Sequence, residues 1–475
     1  MEGLEIAEVR LSSLEFTGRI DSEYYRPGHL RAENLITAKG AKPLASLCNF
    51  IIGPFGSAFT VENYTDDNTY RYIRGKDVKP MQLAENDNVF MPKADFERLS
   101  KYALQTGDVL VSVVGTLGNA ALIEERHLPA IFSCKSTALR INDIEPRYLV
   151  TYLNCKYGQD LLIRKERGAV QKGLNLDDLR SLNVYVAGAP LQNAIVKTHE
   201  KSEAERLLSQ RQLREAESSL LQSLGLDAWT PPEALSYVRS SREAFTAGRL
   251  DAEHFQEKFS AAREALCIAG AKRFIPLPEL LVSLTNGHTP LRHDLSVGEV
   301  PFLCAEHVAD FNLIFESEKR ILQEHHENEL ARTAVRDGDV LLTIKGRIGN
   351  AVIAENVPGN VNINQDVALL RFSDALPIWY IVAYLNSRFG KLQSEKMATG
   401  AINPFLGLFS IRQFEVPEFS QEVMNDIALR TQQHVTAARR AKQHATRLLD
   451  AAKRAVEMAI EDSEAAALAH LEGVA

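Results

Sequence analysis

Arginine, lysine and the side-chain amides are the residues here whose type and spacing suggest chemistry, and that chemistry is recognition of an anion or a base edge. Arg71, Arg74, Lys76 and Lys79 fall between apolar, strand-like runs, and Arg164, Lys165, Arg167 and Lys172 form a second basic group. In the later half of the chain Arg292, Lys345, Arg347, Lys391 and Lys396 make a comparable set. Ammonium and guanidinium groups neutralise phosphates, and Arg can also donate to guanine O6 and N7. Gln171 and Asn403, at aligned positions 232 residues apart, carry the donor and acceptor pair that suits adenine. Gly53 and Ser57 belong to the turn Gly53-Pro54-Phe55-Gly56-Ser57, and Gly287 and Thr289 to Asn286-Gly287-His288-Thr289-Pro290. Such turns bend sharply and present backbone N–H groups outward. Taken singly, each of these residues reads equally well as solvated surface. As a set gathered in the loops of matching segments, they form a candidate contact surface for nucleic acid.

No catalytic constellation accompanies them. The phosphate loop Gly-x-x-x-x-Gly-Lys followed by Ser or Thr is absent, and Gly346-Arg347-Ile348-Gly349 and Gly53-Pro54-Phe55-Gly56 read as turns rather than dinucleotide loops. Asn403-Pro404-Phe405 matches only part of the Asn-Pro-Pro-aromatic tetrad of amino-methyltransferases and lacks the companion cofactor-binding strand and loop. His325-His326, as chain neighbours, do not readily face one metal and read as surface residues. Ser112 and Ser133 stand outside any Gly-x-Ser-x-Gly context. Cys48, Cys134, Cys155, Cys267 and Cys304 never adopt Cys-x-x-Cys spacing, so they read as buried thiols of a reducing cytoplasm, without a disulfide framework or a zinc site. The expectation is a chain with no catalysis, cofactor or metal of its own.

What must position the basic loops is a unit that occurs twice. The run Gly107-Asp108-Val109-Leu110-Val111-Ser112, closed by Gly118-Asn119-Ala120, returns 231 residues later as Gly338-Asp339-Val340-Leu341-Leu342-Thr343, closed by Gly349-Asn350-Ala351. Gly-Asp reads as a tight turn, the apolar run as a buried strand and the closing glycine pair as another turn. Arg19-Ile20-Asp21-Ser22-Glu23-Tyr24-Tyr25 likewise matches Arg249-Leu250-Asp251-Ala252-Glu253-His254-Phe255. Residues 72–78 match 302–308 more loosely, and Tyr152-Leu153-Asn154 with Gly158 matches Tyr384-Leu385-Asn386 with Gly390. Strand signals at 70–73, 108–114 and 137–141 alternate with helix signals around 146–158 and 174–179. The mixture predicts an α+β domain with an irregular sheet, since its turn density is too high for a regular βαβ series.

Each half closes with a long helix. Glycine and proline vanish from 191 to about 224, where Leu213, Ala216, Leu220 and Leu224 mark one face and Gly225 with Pro231-Pro232 ends the run. From 421 to 471 a second helix carries Ala438, Ala441, Ala445, Leu448, Ala452, Ala455 and Ala459 at alternating spacings of three and four. That is a heptad seam, and its alanines would let a partner helix approach closely. The first helix would be roughly 50 Å long at about 1.5 Å per residue. Paired antiparallel, in a pseudo-twofold relation, the two helices would hold one recognition head at each end, a span of about one to one and a half duplex turns of about 34–36 Å. The predicted domains are 1–189 (first recognition domain), 190–226 (central helix), 227–416 (second recognition domain, with a connector over 227–248) and 417–475 (closing helix and tail).

Bulk properties are compatible with this. The chain has 475 residues, 45% hydrophobic and 24% charged, as in ordinary globular proteins with room for two or three cores. No apolar run has the length of a membrane span, and Met1-Glu2-Gly3-Leu4-Glu5 lacks the features of a signal peptide, so a cytoplasmic protein is expected. The net charge of −8 argues against a wholesale basic nucleic-acid binder, but local patches matter more than the sum.

The duplicated layout resembles the specificity subunit of type I restriction–modification systems. Two variable α+β domains each open with an Arg-aliphatic-Asp stretch, carry the Gly-Asp-Val-Leu hairpin and close with a long helix, and the resemblance covers nearly the whole chain. Gly287-x-Thr289-Pro290 resembles a short turn motif near the start of such target-recognition domains, with Gly53–Ser57 a looser version. Pro190-Leu191-Gln192-Asn193-Ala194-Ile195 and Pro417-Glu418-Phe419-Ser420-Gln421 depart from the usual Pro-Leu-x-Glu-Gln entry into the helices. The resemblance implies a non-catalytic subunit that binds double-stranded DNA. Each recognition domain would read one half of a bipartite, asymmetric site, the helices would fix the gap and dock two methyltransferase subunits, and motor-nuclease subunits would join in restriction complexes. Two alternatives stay open: the corresponding subunit of a type IIB enzyme, and a bivalent protein-binding adaptor that does not touch DNA.

Overall fold

The computed structural model describes residues 6–12, 14, 18–85, 88–168, 172–234, 236–290, 294–400 and 403–474. Two compact units divide the chain, one made of Met1–Arg206 with Lys442–Ala475, the other of Leu207–Ala441. Each unit is α+β, and each takes a share of both long helices.

In the first unit, helix α1 (Pro27–Ala38) begins on a proline, whose missing N–H costs nothing in a first turn. Strands β1 (Cys48–Ile52), β2 (Tyr70–Ile73), β3 (Val89–Met91), β4 (Val109–Ser112), β5 (Ala120–Leu122), β6 (Ala130–Phe132) and β7 (Ser136–Ile141) follow, then helices α2 (Pro146–Asn154), α3 (Lys156–Arg164) and α4 (Leu176–Arg180). An antiparallel sheet has the order β1-β7-β4-β5, and a smaller one the order β3-β2-β6, with β2 and β6 parallel. Every residue of β4 is buried. Val109 and Val111 pack into the core that includes α2 and α3, while Leu110 faces a second core with Ile73 and Phe132 of the smaller sheet. A strand covered on both faces has no polar face to alternate with, which is why its sequence is continuously apolar.

The second unit repeats the plan. Helix α5 (Ala189–Leu224) is shared by the two units; α6 (Glu257–Ile268) then precedes strands β8 (Leu281–Asn286), β9 (Val300–Leu303), β10 (Arg320–Ile321), β11 (Val340–Thr343), β12 (Ala351–Ile353), β13 (Asn362–Ile363) and β14 (Val367–Phe372), and helices α7 (Ile378–Asn386) and α8 (Arg388–Met397). Its sheets run β8-β14-β11-β12 and β10-β9-β13, with β9 and β13 parallel. The registers correspond: Val109 lies opposite Leu139 and Val340 opposite Leu370.

The motifs that repeat in sequence turn out to hold one another. Asn154 at the end of α2 donates to the Ala120 carbonyl at 2.7 Å and accepts from its N–H at 3.3 Å; Asn386 does the same to Ala351 at 2.7 and 2.8 Å. Tyr-Leu-Asn and Gly-Asn-Ala therefore recur together because the first clasps the second. Gly158 and Gly390 lie so close to the preceding helix that a Cβ would stand 2.0 Å from the Tyr152 carbonyl oxygen and 2.3 Å from that of Tyr384. The single helix expected over 146–158 is accordingly two helices, broken at Cys155, whose extended backbone makes that approach possible. Arg19 binds Asp21 and reaches the Glu166 carbonyl at 2.9 Å, and Arg249 binds Asp251 and reaches that of Ala398 at 3.1 Å.

Helix α9 (Gln421–Glu461) pairs with α5 within each unit. In the first unit Ser202 Oγ donates to the Ala445 carbonyl at 2.9 Å. In the second, His434 Nδ1 lies 2.8 Å from Gln212 Oε1 and Ser223 Oγ donates to Asp426 at 3.0 Å, so partner numbers fall as α5 advances and the pair is antiparallel. The expected seam is buried throughout: Ala452 and Ala455 have no exposed surface, and Ala445 keeps only 8%. The helix expected to reach 471 ends at Glu461. Ser463 accepts the Ala466 N–H at 3.2 Å and starts a new helix, α10 (Glu464–Val474).

Candidate nucleic-acid interface

The candidate residues separate into those that hold the frame and those that face outward. Gly53 and Gly287 are frame. Both are buried, at the end of β1 and of β8, and an added Cβ would meet the Ser133 carbonyl oxygen at 2.5 Å and the Ile363 carbonyl oxygen at 1.9 Å. Arg71 lies on β2 with 6% of its surface exposed, donates to the Ala84 carbonyl at 2.6 Å, and has its guanidinium pKa pushed down by burial. Arg164 is equally buried; it donates to the Tyr24 carbonyl at 2.8 Å, pairs with Glu33 and stacks over the Tyr24 ring at 4.2 Å. Lys391 spends its three protons on Asp310 (2.6 Å), Asn350 (2.7 Å) and the Gly349 carbonyl (3.0 Å). Arg71, Arg164 and Lys391 thus turn polar atoms inward to the fold, where Lys76 and Lys79 turn theirs to solvent.

Others are surface groups already engaged. Arg167 makes a two-point pair with Asp178 at 2.7 and 3.0 Å, a bond that raises its pKa, and Lys172 pairs with Glu166 at 2.9 Å. Lys165 donates to Ser181 Oγ at 2.9 Å, and burial lowers its pKa, as it does that of Lys396 on α8. Ser57, Lys79, Arg347 and Asn403 are exposed. Gln171 and Arg292 lie outside the described residues. The alignment of Gln171 with Asn403 is supported by two matching bridges: Gly173 pairs with Val114 and Arg167, and Phe405 with Lys345 and Thr399.

One edge brings several candidates together. After β2 the chain makes a 3-10 turn, Gly75–Asp77, in which Arg74 clasps Asp77 through Nε at 3.0 Å and Nη2 at 2.9 Å. Lys76 is exposed on that turn, and Lys135, from the loop between β6 and β7, lies beside it. The contact is close enough that a Cβ on Gly75 would stand 2.7 Å from the Lys135 Cβ. Sequence reasoning missed Lys135, which stands apart from other basic residues and joins Lys76 only through the parallel pairing of β2 with β6.

The same edge of the second unit carries different side chains, carboxylates paired with lysines. Register places Cys304, Glu306 and His307 where Arg74, Lys76 and Asp77 stand, and Asp366 where Lys135 stands. Glu306 pairs with Lys319 at 3.0 Å and Asp366 with Lys345 at 3.9 Å, while Thr289 Oγ1 donates to Gln365 at 2.6 Å. Ligand-type atoms of Cys304, Glu306 and His307 all lie within 4.8 Å of one another, the one such group among the described residues. The Lys319 ammonium, 3.3 Å from Cys304 Sγ and 3.0 Å from Glu306, already supplies a cation there. His326 is not the surface residue expected: it is 8% exposed, and Asn362, which bonds Thr333 at 2.7 Å, lies 3.2 Å from its Nδ1. No helix among the described residues is long and apolar enough to cross a membrane.

No family model matches the chain, and no curated protein does. Solved structures similar to it include the S subunit of a type I restriction–modification system from M. genitalium, at 14% identity and a TM-score of 0.41, covering 91% of this chain and 95% of that one. The HsdS subunit from Thermoanaerobacter tengcongensis is similar at 16% identity and a TM-score of 0.28, covering 89% and 96%. The type IIG restriction endonuclease BpuSI is similar over 41% of this chain and 30% of its own, at 10% identity and a TM-score of 0.30.

Proposed function

We propose that this chain is the DNA sequence-specificity subunit of a type I restriction–modification complex. It binds double-stranded DNA without catalysing a reaction, and each unit reads one half of a bipartite, asymmetric site. The paired long helices set the gap and dock two methyltransferase subunits; motor-nuclease subunits join where the system restricts. One observation carries this reading: two units keep the same frame, down to the Asn clasp and the Gly-Asp turn, yet carry unlike side chains at the same edge, Lys76 and Lys135 in one and the lysine-paired carboxylates Glu306 and Asp366 in the other. A duplicated binding module with unlike edges suits a target whose halves share a backbone and differ in bases. Lysines suit phosphates and guanine acceptors, whereas carboxylates suit the cytosine amino group.

The test is footprinting of the chain with its cognate methylase, together with affinity for random duplex as salt is varied. The reading expects two protected stretches separated by an unprotected gap, and an affinity that falls steeply with salt. Absence of duplex binding at every salt concentration, with the methylase supplied, would favour a protein-binding adaptor instead.

A further inference from the structure

We propose that the first unit carries a pocket for a single nucleotide, its base on an aromatic floor and its phosphate on a lysine rim. A cavity of about 470 Å³ opens beside the Gly75–Asp77 turn. Ligand sites commonly span about 300–1,000 Å³. Phe59, Tyr64 and Tyr72 line it, with ring centroids 4.7 Å apart for Phe59 and Tyr72, 5.7 Å for Phe59 and Tyr64, and 6.2 Å for Tyr64 and Tyr72. Arg74, Lys76 and Lys135 line the same cavity. Asp77 holds the Arg74 guanidinium in place, and the missing side chain at Gly75 lets the Lys135 stem lie against the turn.

Aromatic faces accept any base, and neighbouring cations hold the phosphate. Planar and anionic is therefore the chemistry that fits. The pocket is not a by-product of the shared frame. In the second unit Phe302, buried like Tyr72 but without its hydroxyl, takes the place of Tyr72, and the rim positions are Glu306 and Asp366. Two sources could supply such a ligand: a base turned out of the duplex, which rests on the function proposed above, or a free nucleotide.

Cys134 lines the cavity, and Cys267, in the second unit, is exposed, so alkylation followed by peptide mass spectrometry reads the pocket against an internal control. The full-length chain with its cognate methylase is alkylated alone, with deoxyadenosine monophosphate, with deoxyribose 5-phosphate, and with duplex carrying the recognised site. Slower labelling of Cys134 in the presence of the nucleotide or the duplex, with Cys267 unchanged and deoxyribose phosphate without effect, is the expected result. Tyr64→Leu and Lys135→Glu should each weaken that protection by about tenfold, the size of one lost stack or charge contact. Protection by duplex assigns the source to an extruded base, and protection by nucleotide alone assigns it to a free one. No protection by either, equal protection by deoxyribose phosphate, or a duplex that protects Tyr64→Leu as well as the parent overturns the pocket. A bipartite footprint surviving that result would leave the proposed function standing, and nucleotide protection without any footprint would do the reverse.

Discussion

Arg140 on β7 donates through Nε and Nη2 to both oxygens of the Asp108 carboxylate, at 3.0 and 2.8 Å, and Asp108 is 2% exposed. Arg371 makes the same pair with Asp339 at 2.8 and 3.0 Å. Each carboxylate also accepts a turn N–H, Gln105 in one unit and Arg336 in the other, both at 2.9 Å. The repeated Gly-Asp is thus an anchor between a turn and the neighbouring strand. Removing one partner of a buried pair typically costs about 3–5 kcal/mol, and the partial exposure of the arginine reduces that to about 2–4 kcal/mol. Asp108→Ala and Asp339→Ala should lower stability in denaturant titrations by similar amounts.

The glycines divide by cause. Gly53→Ala and Gly287→Ala put a Cβ into backbone, at 2.5 and 1.9 Å, and should destabilise strongly, Gly287→Ala the more. Gly115 has a φ of +91° but open space around it, so Gly115→Ala meets only the conformational cost, of about 1–3 kcal/mol. Thermal melts of the three variants should rank Gly287, Gly53, Gly115, from the largest loss to the smallest.

Motifs that were legible in the chain were legible because they recur, and they recur because they clasp one another. Tyr-Leu-Asn, Gly-Asn-Ala, Gly-Asp-Val-Leu and Arg-x-Asp each hold a backbone or carboxylate supplied by a second segment of the same unit. Repetition therefore marked the frame and pointed away from the variable surface. Charge alone grouped Arg71, Arg164 and Lys391 with exposed lysines, since a basic residue in a loop-like segment looks the same whether it faces solvent or turns into the fold. Lys135 was invisible because its neighbourhood is created by parallel pairing of strands far apart in sequence. The stop at Glu461 was missed because Asp462-Ser463 interrupts an alanine-rich pattern without glycine or proline.

Stability should depend on pH through His199. The ring is buried on α5 against Thr151, with Nε2 2.8 Å from the hydroxyl, and burial first and the Arg147 charge second hold its pKa down at about 4. The unfolded chain titrates near pH 6.5, so between about pH 6.5 and 4 it takes up a proton that the folded chain refuses. The contribution is complete above that window and is lost as pH falls through it, by about 3 kcal/mol at most. His199→Gln should flatten this part of the denaturation midpoint against pH, with the difference from the parent confined to the window.

Edge lysines and frame cations should respond differently to substitution. Lys76→Glu with Lys135→Glu should reduce the salt dependence of duplex affinity by about two units of slope, close to one per phosphate contact. Arg164→Ala and Lys391→Ala should lower melting temperature, since each leaves buried or half-buried acceptors unpaired.

One frame, used twice, is proposed to read two unlike half-sites. Sequencing the methylome of cells that express this chain with its cognate methylase is the decisive measurement. The expected result is a modified motif in two parts, different from each other and separated by a fixed stretch of unspecified bases. A single contiguous motif, or a genome whose modification does not depend on this chain, would contradict it.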